Sequence, residues 1–157
     1  MRVRLAIVGL LLFAFGSASV NADAERDSQI TVVLDEYMQA LNALDLERHV
    51  GTYHFPHFRL ASGKLSVWTT RSEAMPLLDV PVEQRREQLQ RALGEGWDRS
   101  VWTRRETVQG DSKKVHVLTR FERLRADGSL ISGHDSLYIL TFEDGRWAIK
   151  GRSSFAP

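Results

Sequence analysis

Three short turn signals in the C-terminal half constrain what this chain can fold into more than any other feature. Gly110-Asp111, Asp127-Gly128 and Asp144-Gly145 divide the residues after Trp97 into four runs rich in Val, Ile, Thr and aromatic side chains. Asp-Gly supplies the positive φ of a two-residue turn whose twist matches that of the flanking strands, so the runs on either side pair as hairpins. The sequence predicts an antiparallel meander with strands at about 97–108, 113–125, 129–142 and 146–155.

Because strand side chains alternate between faces, the turns also fix which residues stand together. A two-residue loop at Asp127-Gly128 sets Phe121 opposite His134, Thr119 opposite Ser136 and Val117 opposite Tyr138. Carried through Asp144-Gly145, the count sets Leu140 beside Ile149, Phe142 beside Trp147, Tyr138 beside Gly151 and Ser136 beside Ser153. A short loop at Gly110-Asp111 adds Asp98, Ser100, Trp102 and Arg104 to that face, with Asp98 opposite Arg123. One end of the face is apolar (Val115, Val117, Leu140, Phe142, Trp147, Ile149). The other is polar within aromatic walls (Thr119, Arg123, Ser132, His134, Ser136, Tyr138, Ser153). A core needs only the first kind. Clustered hydroxyls and a histidine on a helix-packing face imply a cavity, since buried polar groups need partners or water.

The opposite face carries Leu118, Ile131, Leu137 and Ile139, with Arg120 directly across from Asp135 and with Lys150 and Arg152 along the edge. Leucine and isoleucine on a face with no helix left to cover it predict a homodimer built sheet on sheet. The competing explanation is a partly solvated sheet with an ordinary cross-strand ion pair.

The N-terminal half reads as helices. Ile30, Val33, Leu34, Tyr37, Met38, Leu41 and Leu44 follow the spacing of one helix stripe, with Asp27 or Ser28 where an N-cap is wanted. Asn42 to Asp45 breaks the pattern, and Asp45 can cap a short second helix from Leu46 to about Tyr53, before Pro56 prevents continuation. Phe58 to Trp68 alternate around a Ser62-Gly63 turn, which predicts a hairpin. Pro81 suits the start of a helix to Leu93, with Val82, Leu89, Ala92 and Leu93 on one side and Gly94 to end it.

Ahead of all this, Arg2 and Arg4 precede an apolar run from Leu5 to Phe15 and then small residues, the layout of a secretory signal over residues 1–22, with cleavage after Ala22 or Ala24. The run is short of the ~20 residues that span a bilayer, so no stable membrane anchor is expected. The expected location is the periplasm or the exterior. A chain cut after Ala22 keeps 19 basic against 20 acidic residues, a formal charge of −1, and its basic doublets have acids nearby, so nucleic acid is not an expected partner. Cysteine is absent, so no disulfide can staple the exported domain, residues 23–157.

The order helix, short helix, Tyr53-His54-Phe55-Pro56-His57, hairpin, helix and four long strands ending in Asp144-Gly145-Arg146-Trp147-Ala148-Ile149 resembles the nuclear transport factor 2-like superfamily, in its SnoaL-like branch. The resemblance covers about Ser28 to Phe155. It implies an α+β fold in which a curved, mostly antiparallel sheet wraps the N-terminal helices as a cone, with a pocket at the wide end and frequently a dimer through the outer face. Relatives include isomerases, cyclases, dehydratases and noncatalytic binding or assembly domains, so fold alone does not choose among them.

Isomerase-type members place a carboxylate base on the first strand. Here no Asp or Glu occurs between residues 48 and 72, and Ala61 stands near that position, which disfavours ketosteroid-isomerase-type activity. Dehydratase-like chemistry needs histidine, tyrosine and carboxylate converging in the cone, for which His134, Tyr138 and Asp98 are the catalytic candidates, with Tyr53 and His57 close by. The competing explanation for His134 is a core histidine bonded to a neighbouring hydroxyl. Tyr53, His57, Trp102, Arg104, Thr119, Arg123, Ser132, Ser136 and Ser153 are the candidate ligand contacts. His54 and His57 straddle a proline without fixed ligand geometry, so no metal and no cofactor are expected; His54 reads as a surface turn residue and His57 as a ring stacked near Trp68. The leading expectation is a cone that holds a small, largely apolar molecule. The alternatives are a cofactor-independent lyase, isomerase or cyclase using His134 with Tyr138 or Tyr53, and an assembly module with a vestigial pocket.

Overall fold

Helix α1 (Gly16–Asn42) begins well before Asp27. Residues 17–42 contain neither glycine nor proline, so nothing local stops the helix at the expected cap. The computed structural model describes residues 16–156; the predicted signal segment falls largely outside the described residues. Among the described residues no helix is long and apolar enough to cross a membrane. Leu44 adopts a left-handed φ of 61° that ends the first helical run. The Asp45 carboxylate then accepts from the Arg48 backbone N–H at 3.1 Å, capping α2 (Leu46–Gly51) as predicted.

The chain turns next into β1 (Tyr53–Ala61) and β2 (Lys64–Trp68), joined through Ser62 and Gly63, both at positive φ. A short helix α3 (Arg71–Ala74), a 3-10 turn (Pro76–Asp79) and α4 (Val82–Leu93) follow, and only the last was predicted. Val82 is exposed, so the α4 apolar side is narrower than expected, centred on buried Leu89. The Arg85 guanidinium donates to the carbonyls of Val80, Leu78 and Leu44 and ties α4 to the preceding loops.

The meander then appears as β3 (Arg99–Gly110), β4 (Lys114–Leu124), β5 (Leu130–Glu143) and β6 (Arg146–Ser154). The six strands form one curved sheet in the order β2-β1-β6-β5-β4-β3, antiparallel except where β1 runs parallel to β6. That parallel ladder slips between Tyr53 and Phe58, around Pro56, which has no N–H to contribute.

The sheet's inner face wraps α1. Ile30, Leu34 and Tyr37 pack in one buried cluster with Val115, Val117, Tyr138, Leu140, Trp147 and Ile149, so the phase counted from the turns is the phase observed over the middle of the sheet. A second cluster of Leu46, Leu89 and Trp97 seats α4 beneath β3. Fold class and cone architecture are therefore those expected.

Four one-residue bulges change the phase outside that middle. On β3, extra residues at Thr103 and Val108 put Arg105 opposite Thr119 and Arg104 opposite Arg120. Arg104 therefore leaves the inner face and pairs outside with Glu106, while Arg105 points inward to Asp35 on α1. On β5, an extra residue at Ile131 swings that side chain off the outer face into the Trp97 cluster, against Gly94. On β6, an extra residue at Lys150 pairs Tyr138 with Arg152 and Ser136 with Ser154. Arg152 consequently faces the cone and Ser153 stands opposite Leu137 on the outside, the reverse of the sequence count. A bulge adds a residue to one strand only, so every side chain beyond it swaps faces.

Candidate functional site

The wide end of the cone holds a cavity of about 140 Å³, walled by residues of all four helices and all six strands and by Met75 and Ala156. Its apolar wall includes Met38, Leu41, Met75, Leu89, Leu93 and Phe121. The lining also carries the polar groups of Tyr37, His49, Tyr53, Tyr138, Arg59, Arg123 and Arg152. No carboxylate lines the cavity among the described residues.

The polar wall is a connected network. His49 lies buried on α2, its Nδ1–H donating to the Tyr37 carbonyl at 2.8 Å. That bond fixes the tautomer, because a carbonyl can only accept, and it leaves Nε2 to accept from the Tyr53 hydroxyl at 3.1 Å. Tyr138 donates its hydroxyl to that of Tyr37 at 3.3 Å, and Arg152 Nη1 donates to the hydroxyls of both Tyr37 and Tyr138. The Arg152 guanidinium also lies 5.9 Å and 5.8 Å from the Tyr37 and Tyr138 ring centres.

Burial sets the protonation states. It lowers the His49 pKa to about 4, so the imidazole is neutral and both nitrogens are committed. Burial likewise lowers His57 to about 4; its Nδ1–H donates to the Ile149 carbonyl at 3.0 Å, while Nε2 has no partner. The phenols of Tyr53 and Tyr138 are pushed far above the usual range by desolvation, with neighbouring tyrosine adding to the effect. For Arg152 burial alone would lower the pKa, and the phenols of Tyr37, Tyr138 and Tyr53 more than offset it. At neutral pH the Tyr53 and Tyr138 phenols and the His49 imidazole are therefore neutral, beside the fixed guanidinium charge of Arg152.

Among the predicted site residues, Tyr53, Tyr138 and Arg123 line the cavity. His57 stacks between Tyr53 at 4.0 Å and Trp68 at 5.8 Å, as its placement near Trp68 anticipated. Trp102 is inward but spends its indole N–H on the Leu34 carbonyl at 3.1 Å. Thr119 and Ser136 are buried and bond to the Ser136 carbonyl and the Ser154 hydroxyl respectively. His134 is outside the cavity lining, packed on Phe121 and hydrogen-bonded to Ser132 at 3.0 Å, with its pKa lowered by burial. Asp98 lies at the start of β3 with Arg86 and Arg99 rather than opposite Arg123, whose strand partner is Ser100. His134, Tyr138 and Asp98 thus answer to different partners and do not converge. Arg104 and Ser153 are on the outer face for the bulge reasons above. His54 is buried and bonded to the Arg146 carbonyl at 3.3 Å rather than lying at the surface.

Missed by the sequence reading were His49, Arg59 and Arg152, while Tyr37 was assigned to the core only. Arg59 follows Phe58 in β1 and pairs across the parallel ladder with Arg152, and both line the cavity. The available signal was Gly151. A glycine inside a strand marks a bulge or a close approach, and here it does both, with the Phe58 ring occupying the space a Cβ would need.

Comparison with solved structures returns the same cone. An NTF-2 like protein of unknown function from Shewanella oneidensis MR-1 superimposes with a TM-score of 0.63 at 17% identity, over 83% of this chain and 98% of that one. An NTF2-like protein with a cystatin-like fold from Novosphingobium aromaticivorans gives 0.68 at 11% identity, over 91% and 92%. A protein from Catenulispora acidiphila, solved in complex with S-DNPA, gives 0.61 at 18% identity, over 84% and 93%. No curated protein sequence matches the chain. The family model described as NTF2-like protein (DUF6841) matches residues 25–154, nearly all of the wrapped sheet and its helices, and the chain belongs to that family.

Proposed function

We propose that this chain is an exported binding domain that holds a small, largely apolar molecule at the wide end of its cone. The observation that carries the reading is the cavity of about 140 Å³ with its apolar wall of methionine, leucine and phenylalanine. A space of that size suits a benzene-sized guest, and apolar cavities in this range take one up. Export is supported by the signal layout of residues 1–22. Holding rather than transforming is supported by a lining with no carboxylate among the described residues and an imidazole whose two nitrogens are already used. Pairing of two copies through the outer face is supported by Leu118, Leu137 and Ile139, which surround the Arg120–Asp135 ion pair at 2.9 Å.

Native mass spectrometry of the purified chain, with toluene titrated by calorimetry as an uncharged probe, tests the central reading. A retained small-molecule adduct or saturable toluene binding is expected. A bare chain that takes up no toluene sinks it.

A further inference from the structure

An arginine is charged at every pH at which a protein folds, so a guanidinium enclosed without an opposite charge needs an explanation. Arg123 and Arg152 both line the cavity, yet neither belongs to any ion pair among the described residues, whose salt bridges all lie elsewhere. Arg152 spends Nη1 on two phenol hydroxyls, and its shielded Nε has no hydrogen-bond partner. Arg123 donates to the Leu93 carbonyl and packs on Phe121, again without a carboxylate. Arg59, the ladder neighbour of Arg152, also lines the cavity and donates to the Ala156 carbonyl at 2.9 Å.

The register makes this arrangement costly on its own. A buried cation with no opposite charge beside it carries a desolvation penalty that hydrogen bonds to phenols only partly offset. The backbone goes out of phase at Lys150 to bring Arg152 in; without that bulge Arg152 would point outward into solvent. Guanidinium groups and apolar side chains sharing one small cavity have the complementarity of an amphipathic anion.

Resting on the reading of the cone as a ligand cavity, we infer that its ligand is a small carboxylate. The acid group docks on Arg152 beside Arg123, and a benzene-sized tail lies against Met38, Leu93 and Phe121. A carboxylate oxygen can accept from Arg152 Nη2, while the Tyr37 and Tyr138 hydroxyls hold the guanidinium in place through Nη1. The volume leaves room for one ring and one head group, and not for a nucleotide or an extended lipid chain.

The decisive comparison needs no variant: calorimetric titration of the wild-type chain with benzoate and with benzamide, alike in shape and different in charge. Benzoate is expected to bind at least about tenfold more tightly, since a charge-assisted head contact replaces a neutral one. Arg152→Met is expected to remove that preference, weakening benzoate about tenfold more than it weakens benzamide; Arg152→Lys recovers part of it. Equal affinities for the pair overturn the carboxylate while leaving an occupied cavity. Phenyl phosphate bound more tightly than benzoate overturns the choice of acid. Absence of binding by both overturns the inference, with the toluene titration then deciding separately whether the cavity takes any guest. Should Arg152→Met fail to fold, the wild-type affinities for benzoate and benzamide still separate a charged ligand from a neutral one.

Discussion

The two ends of one sheet face differ in what they ask of their residues. At the narrow end Val115, Val117, Leu140 and Ile149 close on Ile30 and Leu34 with almost no exposed surface, and any apolar side chain of the right volume would serve. At the wide end Tyr37, His49, Tyr53, Tyr138 and Arg152 are also enclosed, but each is held by a directed hydrogen bond to another. The first arrangement gains stability from area removed from water. The second spends some of it to hold neutral phenols and fixed charge beside a cavity. A cone of this kind separates the work of folding from the work of binding along a single set of strands.

The sharpest way to break that separation is to cut the narrow end. Leu140 is fully buried between α1 and the sheet, and Leu140→Ala is expected to cost about 3 kcal/mol in urea denaturation, with benzoate and benzamide affinities at low denaturant unchanged. A loss of affinity as large as the loss of stability would show that the two ends act as one.

Acid offers the complementary cut at the wide end. His49 and His57 have folded pKa values lowered to about 4, below the ordinary value of 6.5, so the unfolded chain binds protons that the folded one refuses. Their contribution is fully present above about pH 6.5 and is lost as pH falls toward 4, by roughly 3 kcal/mol for each ring. His49→Gln should therefore flatten the acid limb of a stability-against-pH curve without removing it, because His57 remains. An unchanged limb would mean that protonation elsewhere drives acid unfolding.

The same contrast decides what could be read in advance. Asp127-Gly128 and Asp144-Gly145 announce their turns through backbone chemistry, and alternation then carries the phase correctly through Phe121–His134, Val117–Tyr138 and Leu140–Ile149. The narrow end, close to that count and rich in apolar residues, was legible. The wide end lies past the bulges at Thr103, Ile131 and Lys150, and only the last has a glycine, Gly151, beside it to signal the change of face. Arg104, Ser153 and Arg152 were misplaced for that one reason. His49 was invisible for another: its role depends on α2 returning against Tyr37, a tertiary contact that no local period encodes.

Gly151 lies at the hinge between the two ends, so substituting it sharpens the comparison. A Cβ there would meet the Phe58 ring at 2.3 Å on the outer face, and either the ring or the strand must move. Gly151→Ala is expected to cost about 2 kcal/mol. The adjoining Arg152 would shift with the strand, so benzoate affinity should fall while Leu140 and Ile149 stay buried, a split that amide hydrogen exchange along β6 can resolve. Unaltered exchange and affinity would mean that Phe58 alone yields.

The smallest expected effect comes from the face turned away from both ends. Arg120 and Asp135 pair at 2.9 Å with both side chains partly exposed, so within one chain Asp135→Asn should cost under about 1 kcal/mol. If two copies meet on this face the pair becomes shielded, and losing one partner then costs more because the remaining charge has no answer. Denaturation of wild type and Asp135→Asn at widely separated protein concentrations distinguishes the cases, since only association makes the difference between them grow with concentration. A difference that stays small and constant would assign Leu118, Leu137 and Ile139 to a partly solvated sheet surface, and would leave the wide end of the cone as the region where this chain meets a partner.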